Sequence, residues 1–225
     1  NPENKLDENK AAEYYNKGEY NKAKEKYIEA LKESPNNPII LYNLGNTYYR
    51  IGNTGKALGV YLKAKKLLPR DKNINHNIQI IKENRVDQIQ ENASIWELLN
   101  ITNWLSINEC IGIFLGALLI LNGIIITQKI KKKSNKSIQY LAIIAVLISG
   151  MGGMVKYKAG FLDQTGVIVS KKAAIFAGPS KTLSILFYGH EALDVRIIDT
   201  SKRWVKIKLV NKHEGWIEKE HIFML

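Results

Sequence analysis

The chain has 225 residues, which is enough for two small domains but not for a large single core. Its formal net charge is +12, yet the excess is spread along the chain, which does not favour a nucleic-acid-binding surface. The single cysteine, Cys110, excludes disulfides and cysteine-based metal sites within one chain. The sequence also lacks a glycine-rich phosphate loop, a nucleophile elbow and metal-ligand spacing, so we expect no enzymatic activity, cofactor or metal.

Residues 1–93 contain an internal repeat. Shifting the sequence by 34 residues superposes the following pairs: Tyr14 on Tyr48, Gly18 on Gly52, Ala23 on Ala57, Tyr27 on Tyr61 and Pro35 on Pro69. This pattern resembles the tetratricopeptide (TPR) repeat, whose period is 34 residues. It predicts two units, at about 4–37 and 38–71, each with two helices joined at a glycine. A capping helix at about 73–90 is expected to follow, with Ile74, Ile78 and Ile81 on one face.

The TPR resemblance also implies a binding groove, because such arrays usually hold peptides or partner proteins on the first helix of each unit. The groove residues implied here are Tyr15, Tyr42, Asn43, Asn46, Tyr49 and Arg50. Some TPR proteins grip a C-terminal carboxylate with a Lys and an Asn. Because Glu8 and Ala12 occupy the corresponding positions of the first unit, we do not expect that clamp. Asn43 and Asn46 either match common repeat residues or contact a peptide.

Two apolar segments, 107–126 and 138–155, have uncharged interiors and are each about long enough to cross a hydrocarbon core of ~30 Å. They predict a transmembrane hairpin; two buried helices of a soluble protein are the alternative. The loop at 127–137 contains five lysines, Lys129, Lys131, Lys132, Lys133 and Lys136, whereas no Lys or Arg lies between Val86 and Gln128. The positive-inside rule therefore predicts a cytoplasmic loop and two extracytoplasmic termini.

Two further expectations concern the membrane. The linker at 94–106 contains Trp96 and Trp104, which either lie at the membrane interface or pack on the helical cap. An exported N-terminus requires a signal, so we expect a cleaved signal peptide upstream of Asn1. The predicted location is the inner membrane of a bacterium, crossed twice.

After a linker at 156–166, residues 167–225 have the pattern of short strands. Val205, Ile207 and Leu209 alternate with Trp204, Lys206 and Lys208, which predicts a half-buried strand. About five strands with short turns indicate a small all-β barrel. The set Gly178, Pro179, Gly189, Trp204, Gly215 and Trp216 resembles bacterial SH3-type domains, which are often linked to cell-wall or protein binding. We expect Trp204 and Trp216 to be core residues rather than a ligand groove, and His190, His213 and His221 to be solvated.

The order of TPR units, membrane hairpin and SH3-like domain resembles the BatE-like family of Bat (aerotolerance) operons. The resemblance implies a noncatalytic envelope scaffold, active in stress tolerance or complex assembly on the periplasmic side. The implied partners are Bat membrane proteins with von Willebrand A domains and a MoxR-type ATPase, beside membrane lipids. The alternative is a module that binds peptidoglycan and recruits a cell-wall enzyme. A pulldown on purified cell wall distinguishes the two hypotheses.

Overall fold

The computed structural model describes residues 2–88, 105–132, 134–157 and 164–225. Its contacts divide the chain into two compact units, one formed by residues 1–93 with 163–225 and the other by residues 94–162. The first unit contains a helical domain, residues 2–88, and a β domain, residues 164–225. Trp96 and Trp104 lie outside the described residues, so the expectations for them stay predictions.

The helical domain is built from five helices: α1 Pro2–Asn16, α2 Tyr20–Glu33, α3 Pro38–Arg50, α4 Thr54–Leu67 and α5 Lys72–Asn84. Gly18 and Gly52 end α1 and α3 with φ of +77° and +85°, a backbone conformation that glycine adopts without steric cost. Asn37 begins α3, because its side-chain oxygen accepts hydrogen bonds from the backbone N–H groups of Ile39 and Ile40. Asp71 caps α5 in the same way.

Small side chains let these helices approach closely. Ala23, Ala30, Ala57 and Ala64 are at most 1% exposed. The ring of Tyr61 packs so closely on α3 that a Cβ atom at Gly45 would overlap it. On α5 the buried positions are Ile74, Ile78 and Ile81, the stripe expected from the sequence. The helix itself ends at Asn84, earlier than predicted.

The second unit contains two long helices, α6 Ile107–Ile130 and α7 Lys136–Tyr157. Ser106 and Glu109 form a reciprocal capping box at the start of α6. The Glu109 carboxylate accepts a hydrogen bond from the backbone N–H of Ser106. Both helices are long and apolar enough to cross a membrane. They extend beyond the predicted spans, which leaves only a short turn between them.

The β domain is one antiparallel sheet of seven strands in the order β3-β2-β6-β5-β4-β1-β7. The strands are β1 Thr165–Ile168, β2 Lys172–Phe176, β3 Ile185–His190, β4 Asp194–Thr200, β5 Trp204–Lys208, β6 Glu214–Glu218 and β7 Ile222–Met224. The expectation of about five strands was too low for two reasons. The edge strand β3 shows no alternation of apolar and polar residues, and a 3₁₀ turn at Lys219–His221 divides the last predicted strand.

Candidate functional site

A concave pocket of about 420 Å³ opens on the helical domain. Its lining comes from α1, α3, α4 and α5: Tyr15, Tyr42, Asn46, Tyr49, Arg50, Tyr61, Asn77 and Ile80. The structure therefore brings together all of the expected groove residues except Asn43, which is half-buried on α3 and does not line the pocket. Sequence reasoning missed Tyr61, Asn77 and Ile80, because the groove was assigned only to the first helix of each unit.

The floor of the pocket is a hydrogen-bonded triad. The Tyr61 hydroxyl donates to Asn46 Oδ1 at 2.6 Å, and Asn77 Nδ2 lies 3.0 Å from the same oxygen and 3.1 Å from Tyr61 Oη. Burial raises the pKa of Tyr61, while the hydrogen bond from Asn77 partly offsets this effect. The hydroxyl therefore stays protonated and remains a donor, which fixes the orientation of both asparagine amides.

The walls of the pocket are aromatic, and its rim carries one charge. The rings of Tyr42 and Tyr61 lie 6.0 Å apart, and Tyr49 is 45% exposed. Arg50 is the only charged residue of the lining; its Nε donates to the Tyr15 hydroxyl at 3.5 Å. The pocket can thus accept an apolar group, hydrogen-bonding groups and an anion.

A second site lies where the helical domain contacts the β domain, at the N-terminus of α4. The Glu191 carboxylate of the β domain accepts a hydrogen bond from the backbone N–H of Gly55 at 3.0 Å and pairs with Lys171. Asn53, the residue that precedes α4, makes no capping bond with its own side chain. A residue 136 positions away therefore supplies the N-terminal cap, where a carboxylate also interacts favourably with the helix dipole.

Ion pairs join the end of α5 to the β domain. Asp194 pairs with Arg85 and, at 2.8 Å, with Lys82. Burial alone would raise the pKa of Asp194, but the charges and hydrogen bonds of Lys82 and Arg85 outweigh it and hold the pKa below its ordinary value. The carboxylate is therefore charged at neutral pH.

Asp87 makes a two-point contact with His190. Its oxygens accept the backbone N–H of His190 at 2.7 Å and lie 2.9 Å from the ring nitrogen Nδ1. The expectation that His190 is simply solvated is wrong, because the residue is half-buried in this contact. The helical domain and the β domain are thus joined by specific polar contacts as well as by close packing.

Two glycines of α4 make the close packing possible. A Cβ atom at Gly59 would lie 2.5 Å from the ring of Phe223, and one at Gly55 would overlap the backbone oxygen of Ile168. The sequence carried a signal for this interface, since the first repeat has Asn21 and Glu25 at the equivalent positions. Glycine inside a helix is unfavourable unless another part of the protein approaches it.

The SH3-like motif residues have two different roles. Gly178, Gly189 and Gly215 are buried, whereas Pro179 is exposed. A Cβ atom at Gly189 or Gly215 would overlap a core side chain, and one at Gly178 would overlap the exposed side chain of Leu183. These glycines are therefore packing positions of the β domain.

Trp204 and Trp216 lie on the outer face of the sheet, so the prediction that they are core residues was wrong. In the β5–β6 register Val205 pairs with Ile217, and both are fully buried. Lys206 pairs with Trp216 on the opposite face, and both tryptophans are half-buried. The ring of Trp204 meets that of Phe176 edge-on, with centroids 5.4 Å apart. The outer face of β5 and β6 thus presents aromatic surface beside a lysine.

The five lysines were all expected in a loop at 127–137, but two of those described lie in the helices instead. Lys129 lies in the last turn of α6, Lys136 begins α7, and Lys131 and Lys132 form the turn between them. Lys133 lies outside the described residues. The lysines that are described nevertheless gather at one end of the hairpin.

One group of side chains brings possible metal ligands together. Glu218, Glu220 and His221 place ligand atoms within 4.8 Å of one another. Glu218 is already paired with Lys181 at 3.0 Å, and His221 Nδ1 lies 2.7 Å from Ser170 Oγ. We assign no metal to this surface group.

Models of known protein families match both the N-terminal helical domain and the C-terminal β domain. Residues 11–52 match a model described as TPR repeat, residues 38–71 match the tetratricopeptide repeat, and residues 169–223 match the bacterial SH3 domain. The chain carries TPR repeats and a β domain that matches a bacterial SH3 domain. Both resemblances inferred from the sequence are thereby confirmed. The chain matches none of the curated proteins with which it was compared, and the link to Bat operons stays a prediction.

Proposed function

We propose that the chain is a noncatalytic, membrane-anchored adaptor whose TPR groove binds a protein partner outside the cytoplasm. The observation that carries the proposal is that the pocket on α1, α3, α4 and α5 is open. The β domain contacts other parts of these helices, namely the N-terminus of α4 and the end of α5. The β domain thus contacts the helical domain without filling the groove. TPR and bacterial SH3 domains are typically binding modules, which supports the noncatalytic assignment.

The contacts between the TPR helices and the β domain also support a two-pass topology. The two domains form one compact unit, although the apolar hairpin separates them in the sequence. Two spans return the chain to the side from which it started, as contacts between the domains require. The lysines at the turn favour the cytoplasm for the loop, and hence the periplasmic side for both domains.

Cysteine labelling in intact cells tests the topology. In a Cys110→Ala background, Ser134→Cys is placed beside the lysine turn and Thr182→Cys on an exposed loop of the β domain. We expect an impermeant maleimide to label the second variant and not the first. Labelling of Ser134→Cys from outside would overturn the orientation.

Site-specific photocrosslinking tests the adaptor function. A photoreactive amino acid replaces Tyr49, which lines the pocket, or Glu25, an exposed residue of α2 outside the pocket. We expect the first position alone to crosslink. If the chain works in a Bat-type complex, as the sequence resemblance implies, the product is a membrane protein with a von Willebrand A domain. Identical products from both positions would contradict binding in the groove. A different product specific to the Tyr49 position would sustain the adaptor but remove the Bat assignment.

A second candidate function, binding of peptidoglycan by the β domain, is favoured by the half-buried tryptophans Trp204 and Trp216 on the outer face of the sheet. The full chain in detergent, incubated with purified cell wall, tests it. Saturable retention that Trp204→Ala abolishes would establish this function. We expect no saturable retention from the adaptor alone.

A further inference from the structure

The TPR pocket has a chemistry that selects among peptides. This inference rests on the proposed function, because it concerns the ligand of the same groove. The pocket combines three recognition elements, each of which includes a residue of α3: an amide floor, a tyrosine wall and an arginine at the rim. Each of them specifies one part of a ligand.

The amide floor fits a peptide backbone. Asn46 Oδ1 accepts from both Tyr61 and Asn77, so the Asn46 amide nitrogen is turned away from this pair. Among the residues that the structure describes, neither Asn46 Nδ2 nor Asn77 Oδ1 has a hydrogen-bond partner. The floor therefore offers a donor and an acceptor, the pair that a backbone amide requires.

The tyrosine wall fits a large apolar side chain. Tyr15, Tyr42, Tyr49 and Tyr61, together with Ile80, surround a volume of about 420 Å³. That volume is within the range of small-molecule and side-chain pockets, and aromatic rings favour edge-on or offset contacts with another ring. A small polar side chain would leave this wall hydrated.

The arginine at the rim fits a carboxylate. Arg50 is exposed, and within the described part of the chain no carboxylate pairs with it. Its Nε donates to Tyr15, and neither terminal nitrogen has a hydrogen-bond partner among the described residues. A guanidinium group can bind a carboxylate with two hydrogen bonds. No other lining residue is charged, so nothing in the pocket opposes an anion.

We propose that the groove binds an extended acidic peptide segment in which an aromatic or large aliphatic side chain fills the tyrosine wall and a neighbouring carboxylate pairs with Arg50. The carboxylate belongs to an Asp or Glu within the segment or to a C-terminus. Peptides without an acid, and peptides rich in Lys or Arg, are rejected.

Panning a random heptapeptide phage library on the full chain in lipid nanodiscs tests this ligand class, with empty nanodiscs as the subtraction step. We expect enriched peptides to pair Phe, Trp, Tyr or Leu with a neighbouring Asp or Glu. A fluorescent copy of the consensus peptide then gives the Kd by anisotropy. Free and amidated C-termini distinguish the two sources of the carboxylate.

Three variants separate the contributions. Arg50→Gln should weaken the consensus peptide at least about tenfold, because a charge-assisted hydrogen bond is lost. Arg70→Gln changes the net charge equally at an exposed position outside the pocket and should leave the Kd within about twofold. Tyr49→Ala, which opens the wall, should reduce the preference for aromatic residues.

The outcomes distinguish this inference from the function on which it rests. Peptides that bind without an acidic consensus, or whose Kd does not respond to Arg50→Gln, would overturn the ligand class while the peptide-binding groove stands. Enrichment no greater than on empty nanodiscs would remove both the ligand class and peptide binding in the groove.

Discussion

Gly55→Ala probes whether the TPR helices and the β domain pack as described. Gly55 is the second residue of α4, donates its backbone N–H to the Glu191 carboxylate at 3.0 Å, and faces the backbone of β1. An added methyl group would overlap the carbonyl oxygen of Ile168 and lie 2.9 Å from the Cα of Val169. Because both are backbone atoms, neither can rotate away, and the β domain must shift.

The expected change in the free energy of unfolding follows from opposing effects. In an isolated helix, replacing Gly by Ala stabilises by at most about 1 kcal/mol. Overpacking a close contact costs ~1–3 kcal/mol. Displacing Glu191 weakens a hydrogen bond to a charged group, worth ~1.5–3 kcal/mol when it is lost completely. We therefore expect Gly55→Ala to be about 1–3 kcal/mol less stable than the wild type.

Urea unfolding of the full chain in detergent, followed by tryptophan fluorescence, measures this change. The matched control is Asn21→Ala, the equivalent position of the first repeat, which is exposed on α2. The control lacks a facing β domain, so it should be neutral or stabilised by up to about 0.7 kcal/mol. If Gly55→Ala is stabilised like the control, the packing of the β domain against α4 is refuted.

Three further predictions use the same unfolding assay. The pKa of Asp194 is held below its ordinary value near 3.8. The charged carboxylate therefore contributes fully to the free energy of unfolding above that pH, and this contribution is lost as the pH falls through the folded-state pKa. Asp194→Asn should be less stable at pH 7 and should not show this acid-dependent loss. Gly52→Ala should cost ~1 kcal/mol, because φ is +85° although the space around it is open, and Gly52→Asn should cost less. Trp204→Ala should cost clearly less than the ~3–5 kcal/mol of a core tryptophan, because the side chain is only partly buried.

The sequence predicts the helical domain well because its information is local and repeated. A small residue, a tyrosine and a turn glycine recur at one spacing, and each determines a contact within its own repeat. The same register predicts the groove residues on α1 and α3. Asn77 and Ile80 could not be found in this way, because α5 is a capping helix outside the repeat pattern.

The contact between the TPR helices and the β domain could not be derived from periodicity. A glycine such as Gly55 indicates that something approaches the helix, but it does not identify the partner. In the β domain, the alternation of residues had already placed Trp204 opposite Val205. The general tendency of tryptophan to be buried nevertheless favoured the core, and the actual side chain covers a surface. Local order was thus predictable, whereas the choice of exposed face and domain partner was not.

The cap on α4 has a consequence for biogenesis. Its carboxylate, Glu191, is synthesised 136 residues after Gly55, and the apolar hairpin lies between them. Under the proposed topology, the second TPR unit emerges first and waits with an uncapped helix until the hairpin has inserted and the β domain has been exported. A chain whose second span fails to insert keeps Glu191 on the wrong side of the membrane. The glycine surface of α4, which the β domain otherwise covers, would then stay exposed.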